Sequence, residues 1–193
     1  MLFGYHFCIS ARNITSMLFN SFSFLYFFPT VVLLYFLSPH KYRWLLLLVA
    51  SCIFYMAFVP AYILILAFTI IVDYTAAIFI EKNTGTKRKL FLIVSIVSTL
   101  GNLFLFKYFD FFTSSLNQAA SFFSWNYSLP ILGLLLPLGL SFHTFQSLSY
   151  VLEVYWGRQK TEKHFGRYAL YVMFFPQLVA GPIERPKNLL PQL

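Results

Sequence analysis

The sequence predicts an all-α fold: a polytopic helical bundle in a membrane, with about five transmembrane helices and a short sixth segment that either spans or re-enters. Three observations carry this. Of 193 residues, 59% are hydrophobic and only 10% are charged, where soluble domains average about 45–50% and about 25%. Apolar runs recur at close to the roughly 20 residues that cross a hydrocarbon core of about 30 Å. Lys and Arg fall in short clusters between those runs. Aromatic residues make up 21% of the chain, with 25 phenylalanines, which is more apolar surface than a soluble core of this length needs.

The elements follow in order. Residues 1–16 mix His6, Cys8, Arg12 and Asn13 with short apolar pieces and lack the ordered zones of a signal peptide. They are expected to be a non-native extension ahead of a true start at Met17, dispensable for insertion. Asn13-Ile14-Thr15 is a glycosylation sequon in form only. The first span is placed at about Leu18 to Leu37; Pro29 inside it is tolerated in lipid better than in water. Ser38-Pro39-His40-Lys41 closes it. The second is placed at about Trp44 to Phe58, with Pro60 marking the turn into the third, about Ala61 to Ile80. A charged loop, Glu81 to Lys89, leads to the fourth, about Leu90 to Phe112. A polar loop, about Thr113 to Leu129, precedes the fifth, about Pro130 to Leu152. A second charged loop, Glu153 to Arg167, precedes the last apolar piece, Tyr168 to Ala180, which carries Pro176 and Gln177 and runs into Gly181.

The loops set an orientation. Lys41 and Arg43 lie after the first span, Lys82, Lys87, Arg88 and Lys89 after the third, and Arg158, Lys160, Lys163 and Arg167 after the fifth. The intervening turns hold no Lys or Arg. Under the positive-inside rule the basic loops face the cytoplasm and the segment before the first span lies outside. The expected location is the inner (plasma) membrane. This also accounts for the net charge of +8 without a nucleic-acid partner. Cys8 and Cys52 make no disulfide framework; Cys52 reads as a small buried hydrophobe.

Ionisable groups within a membrane are costly and merit a functional hypothesis. Asp73, deep in the third span, is either a polar contact that ties this helix to others or lines a cavity, or an interfacial Asp near the helix end bonded to a neighbour; structural packing is the preferred reading. His143 shares a helical face with Gln146 and Ser147, with Gly139 a turn below. It is either a proton acceptor or substrate contact, or a satisfied histidine within the bundle, the latter preferred. Gln177 and Glu184-Arg185 bracket Val179-Ala180-Gly181-Pro182-Ile183, where Gly and Pro break a helix. Such a break either shapes a tunnel or ends a helix at the interface. There is no Gly-rich phosphate loop, no metal-spaced His/Cys cluster and no nucleophile elbow. The residues alone leave open a transporter subunit or a non-catalytic membrane assembly module, although only one broken helix is evident where transporters repeat theirs.

Four stretches resemble a known family. Tyr42-Arg43-Trp44 with the following Leu run to Ser51, and Phe106-Lys107-Tyr108-Phe109-Asp110, are two. Leu136 to Tyr150, containing Pro137-Leu138-Gly139 and Ser141-Phe142-His143-Thr144-Phe145-Gln146, is the longest. Phe174-Phe175-Pro176-Gln177-Leu178-Val179-Ala180-Gly181-Pro182-Ile183 is the most specific. Together they resemble the membrane-bound O-acyltransferases, in the branch of the alginate O-acetyltransferase membrane component, with residues 17–193 matching the N-terminal part of that domain.

The resemblance implies transfer of an acetyl or other acyl group to hydroxyls of an exported polysaccharide. It implies a thioester donor, acetyl-CoA or another, with no bound cofactor or metal, and an extracytoplasmic acetyltransferase partner. It implies that the active-site histidine sits in a later helix, so no catalytic residue is assigned in this chain and the chain alone is expected to be inactive. His143 stands where relatives commonly carry Tyr. His143, Gln146, Asp73 and Gln177 are expected to be tunnel-lining or structural polar residues, with Gly181 and Pro182 as the motif.

Overall fold

The computed structural model describes residues 21–57, 60–122, 139–178, 181 and 184–193; residues 1–16, the expected N-terminal extension, and Pro182 lie outside them. Every element among the described residues is helical. In order these are α1 (Phe22–Leu37), a 3₁₀ turn (His40–Tyr42), α2 (Arg43–Met56), α3 (Tyr62–Lys82), α4 (Gly85–Lys107), α5 (Phe109–Phe122), α6 (Leu140–Tyr155), α7 (Phe165–Met173), α8 (Phe175–Leu178), α9 (Pro186–Leu189) and a 3₁₀ turn (Leu190–Gln192).

Two described helices, α3 and α4, are long and apolar enough to cross a membrane, at 21 and 23 residues. In the most apolar stretch of α4 only 17% of positions are buried. Val94, Val97 and Leu105 on α4, like Phe22, Leu33 and Phe36 on α1, present large apolar side chains outward. An exposed apolar surface of that extent marks a contact with lipid or protein. The other expected spans meet shorter helices among the described residues: α1 with 16 residues, α2 with 14 and α6 with 16, residues 130–138 of the expected fifth span lying outside the described residues.

The boundaries shift where capping and charge outweigh hydropathy. The charged stretch expected as a loop, Glu81 to Lys89, is almost wholly helical, with only Asn83 and Thr84 between α3 and α4. Asn83 closes α3 by donating from Nδ2 to the Phe79 carbonyl at 2.8 Å. Lys87, Arg88 and Lys89 then sit in the first turns of α4, against its macrodipole. Arg88 offsets this by donating to the carbonyls of Val154 and Tyr155 at the C-terminal end of α6, where a cation is favoured. The expected fourth span divides at Tyr108, and α5 continues through much of the expected polar loop, with Asp110 in its first turn. The last apolar piece is α7 and then α8, broken at Phe174.

The core is built where α3, α4, α6 and α7 meet. Leu66, Ile70, Ala77 and Ile80 of α3 follow helical spacing and pack with Tyr150, Val151 and Val154 of α6 and Tyr168, Tyr171 and Val172 of α7. A second cluster, Val31, Ala50, Phe54 and Phe175, joins α1 and α2 to α8. The break before α8 is held from α2: Ser51 Oγ accepts from the Phe175 amide at 3.2 Å and donates to the Leu47 carbonyl at 2.8 Å. Gly166, in the first turn of α7, lets that helix approach α2; a Cβ there would lie 2.4 Å from Cζ3 of Trp44.

The segment between α6 and α7 is tied down at several points. Tyr74 on α3 donates to the Lys163 carbonyl at 2.7 Å, Tyr150 Oη accepts from the Glu162 amide at 2.8 Å, and the Thr161 hydroxyl donates to Glu81.

Candidate functional site

The candidate site is a polar seam through the helix core. Asp73 occupies the buried face of α3 between Thr69 and Ala76-Ala77, and is fully buried. A carboxylate there must be fully hydrogen-bonded or it destabilises the fold. Two neighbouring helices donate to it and a third joins through Ser147. Ser95 Oγ donates to Oδ1 at 2.6 Å, and Thr99 Oγ1 lies 3.0 Å from both carboxylate oxygens. Both come from α4, one turn apart. Ser147 of α6 donates to Oδ2, and its hydroxyl lies 2.8 Å from that of Tyr168 on α7. One turn toward the start of α3, Asn102 Nδ2 donates to Thr69 Oγ1 at 3.3 Å. The seam therefore joins α3, α4 and α6 through Asp73, and α7 through Ser147.

The same face of α6 carries His143 and Gln146, also fully buried. Neither ring nitrogen of His143 and neither amide atom of Gln146 has a hydrogen-bond partner among the described residues. The imidazole instead meets Tyr55 of α2 edge-on, with ring centroids 6.4 Å apart. Among the described residues no carboxylate bonds His143; Asp73 accepts from hydroxyl donors instead.

Gln177 lies on α8, beyond the break, at a polar cavity of about 590 Å³ shared with Glu184, Asn188, Leu189 and Gln192. Its Oε1 has no partner among the described residues. Gly181 folds back on α8: its amide donates to the Gln177 carbonyl at 3.0 Å, and a Cβ on it would lie 2.7 Å from Gln177 Cα. Tyr171 connects this region to α6, lying 3.1 Å from the Glu184 carbonyl and 3.4 Å from that of Gln146.

Asp73 and Ser147 are therefore brought together, His143 and Gln146 share the α6 face of Ser147, and Gln177, bonded by Gly181, stands at the edge of a separate cavity. Sequence reasoning did not single out Ser95, Thr99 or Tyr168. The available signal was the four-residue spacing of Ser95 and Thr99, with Asn102 three further on, in a helix otherwise rich in Leu, Ile, Val and Phe.

Comparisons with known proteins point one way. The chain is 37% identical over 91% of its length to a protein of Pseudomonas aeruginosa named a probable alginate O-acetylase, and covers 34% of that protein. It is 34% identical over 91% of its length to the corresponding protein of Azotobacter vinelandii, covering 36% of it. It is 30% identical over 95% of its length to a peptidoglycan O-acetyltransferase of Helicobacter pylori, covering 40% of it. The chain thus spans about a third of the length of these relatives. No protein-family profile and no solved structure matches it.

Proposed function

We infer that this chain, related along nine-tenths of its length to the alginate O-acetylases, forms part of the bilayer-embedded body of an enzyme that moves an acetyl group from a thioester to a hydroxyl of an exported polysaccharide. The observation that carries this reading is that relatedness to proteins named for alginate and peptidoglycan O-acetylation. The buried seam supports it, because polar groups held within an apolar bundle are the means of lining a path for a polar reaction.

The donor in this reading is acetyl-CoA or another acyl thioester. It meets the protein on the face of the basic segments, placed in the cytoplasm, and an extracytoplasmic acetyltransferase partner completes delivery to the polymer. In the transfer, the hydroxyl oxygen attacks the thioester carbonyl, the C–S bond breaks, the thiol leaves, and the hydroxyl proton passes to a base. General-base help is worth roughly 10²–10⁴-fold. His143 is not assigned that role, since no acid bonds it among the described residues; the resemblance assigns the base to a later helix. The chain's own polar groups then line and orient: His143 and Gln146 within the bundle, Gln177 at the cavity edge. The chain alone should show no transfer.

A segment exchange tests this. The chain replaces the matching segment of the Pseudomonas aeruginosa relative in alginate-producing cells whose own copy is deleted. Acetyl esters on exported alginate should return. A membrane-inserted hybrid that restores none would favour the assembly-module alternative. Within that hybrid, His143→Leu removes a buried imidazole without hydrogen-bond partners. It should leave thermal stability unchanged or raised by about 1 kcal/mol while lowering the ester content. Unchanged esters would make His143 a packing residue only.

Orientation is checked by labelling. In a chain with Cys8 and Cys52 replaced by Ser, Lys87→Cys should react with an impermeant thiol reagent only after the cells are opened. Labelling of intact cells would reverse the topology.

A further inference from the structure

An apolar groove of about 590 Å³ runs between α1 and α2 on the outer side of the bundle. Leu34, Leu45, Val49 and Ile53 line it and are all exposed. From Tyr42 to Ile53 it follows α2 for roughly 16 Å at 1.5 Å per residue, about half of a hydrocarbon core of about 30 Å. It has the depth of one leaflet. Val31 and Ala50, buried where α1 packs on α2, form its floor.

The groove's end at Ser38 and Tyr42 is its basic end. Pro39-His40-Lys41 is exposed there, and Arg43 follows one residue past Tyr42. Arg43 is held in place: its Nε donates to the Ser38 carbonyl at 3.2 Å and its guanidinium lies 4.9 Å from the centre of the Tyr35 ring. Lys41 Nζ stands 5.9 Å from the Tyr42 ring. No acidic residue lies between Ser21 and Phe58, so nothing within α1, α2 or their connection neutralises the two cations. A fixed guanidinium with an exposed ammonium beside it suits a phosphate.

We propose that the α1–α2 groove holds one anionic phospholipid, with an acyl chain along Leu34, Leu45, Val49 and Ile53 and its phosphate at Lys41 and Arg43. Charge complementarity at one end and a leaflet-long apolar channel below it select this occupant over a second copy of the chain, which would leave both cations facing each other. The proposal rests on the membrane placement of α1 and α2. It is independent of the acetyl-transfer reading.

The test uses the full chain, extracted in mild detergent and exchanged into nanodiscs holding equal phosphatidylglycerol and phosphatidylethanolamine, with lipid adducts counted by native mass spectrometry. The chain should retain one phosphatidylglycerol in preference to phosphatidylethanolamine. Lys41→Gln, at an exposed side chain over the neighbouring tyrosine ring, should cut that preference roughly fivefold. Val49→Trp, at an exposed position in the channel, should reduce both lipids. Lys87→Gln, on α4, should change neither. Equal retention of the two lipids by the unaltered chain, or a preference untouched by Lys41→Gln and Val49→Trp, would overturn the proposal. Release of the chain from membranes by alkaline carbonate would instead overturn the membrane placement beneath it.

Discussion

Asp73→Ala should destabilise the bundle by about 3 kcal/mol or more, read as the shift in denaturant midpoint in mixed micelles. The carboxylate accepts from Ser95, Thr99 and Ser147, which come from two neighbouring helices, and Ser147 is in turn bonded to Tyr168 of a third. Hydrogen bonds to a charged group contribute about 1.5–3 kcal/mol each, and stranded hydroxyls add their own desolvation cost. The loss is bounded because serine and threonine in a helix can turn back to the carbonyl four residues earlier. Asp73→Asn keeps the shape and one acceptor oxygen, and should cost about half as much. A shift below about 0.5 kcal/mol for Asp73→Ala, within the range of an ordinary surface substitution, would show that the seam does not hold the helices together.

Gly181→Val should lower acetyl-ester formation in the hybrid enzyme by tenfold or more, on the scale by which an ångström of misplacement at a reaction path costs about 10²-fold. The atoms a Cβ would meet are Gln177 Cα at 2.7 Å, Cβ at 3.0 Å and Cγ at 3.1 Å. The first is backbone, so no flexible side-chain end can yield. Relief requires Gly181 to move off α8, breaking the hydrogen bond from its amide N–H to the Gln177 carbonyl and moving Gln177 from its cavity. Gly181→Ala should act in the same direction with smaller effect. Hybrid enzyme present in the membrane at normal level with undiminished esters would remove Gly181 from the functional account.

The helical class was legible because composition alone forces it: apolar content this high leaves helices as the simplest way to pair every backbone group. Positions were less legible where polar residues behave as helix formers. The Glu81–Lys89 stretch reads as a loop by charge, yet Arg88 finds the carbonyl end of α6 sixty-odd residues away, a partner no local pattern reveals. The division at Tyr108 is hidden for the same reason: aromatic residues on both sides keep the hydropathy continuous. In the seam, His143, Gln146 and Ser147 share a face by simple helical spacing, and all three are buried. Ser95, Thr99 and Tyr168 passed unremarked because a lone hydroxyl in an apolar helix looks neutral until the carboxylate opposite it is placed. The atoms of His143, Gln146 and Gln177 that have no partner among the described residues could not be anticipated at all, since pairing is a property of the whole packed neighbourhood.

In the function proposed above, this chain helps carry an acetyl group from a thioester on the basic face of the membrane to a hydroxyl acceptor. The most direct measurement gives labelled acetyl-CoA to membrane vesicles carrying the hybrid enzyme, with the basic face turned outward, and follows label into alkali-labile ester. The account predicts label in ester that depends on the hybrid and is lost when the vesicles are turned the other way. Equal label without the hybrid, or label only with the basic face inward, would contradict it.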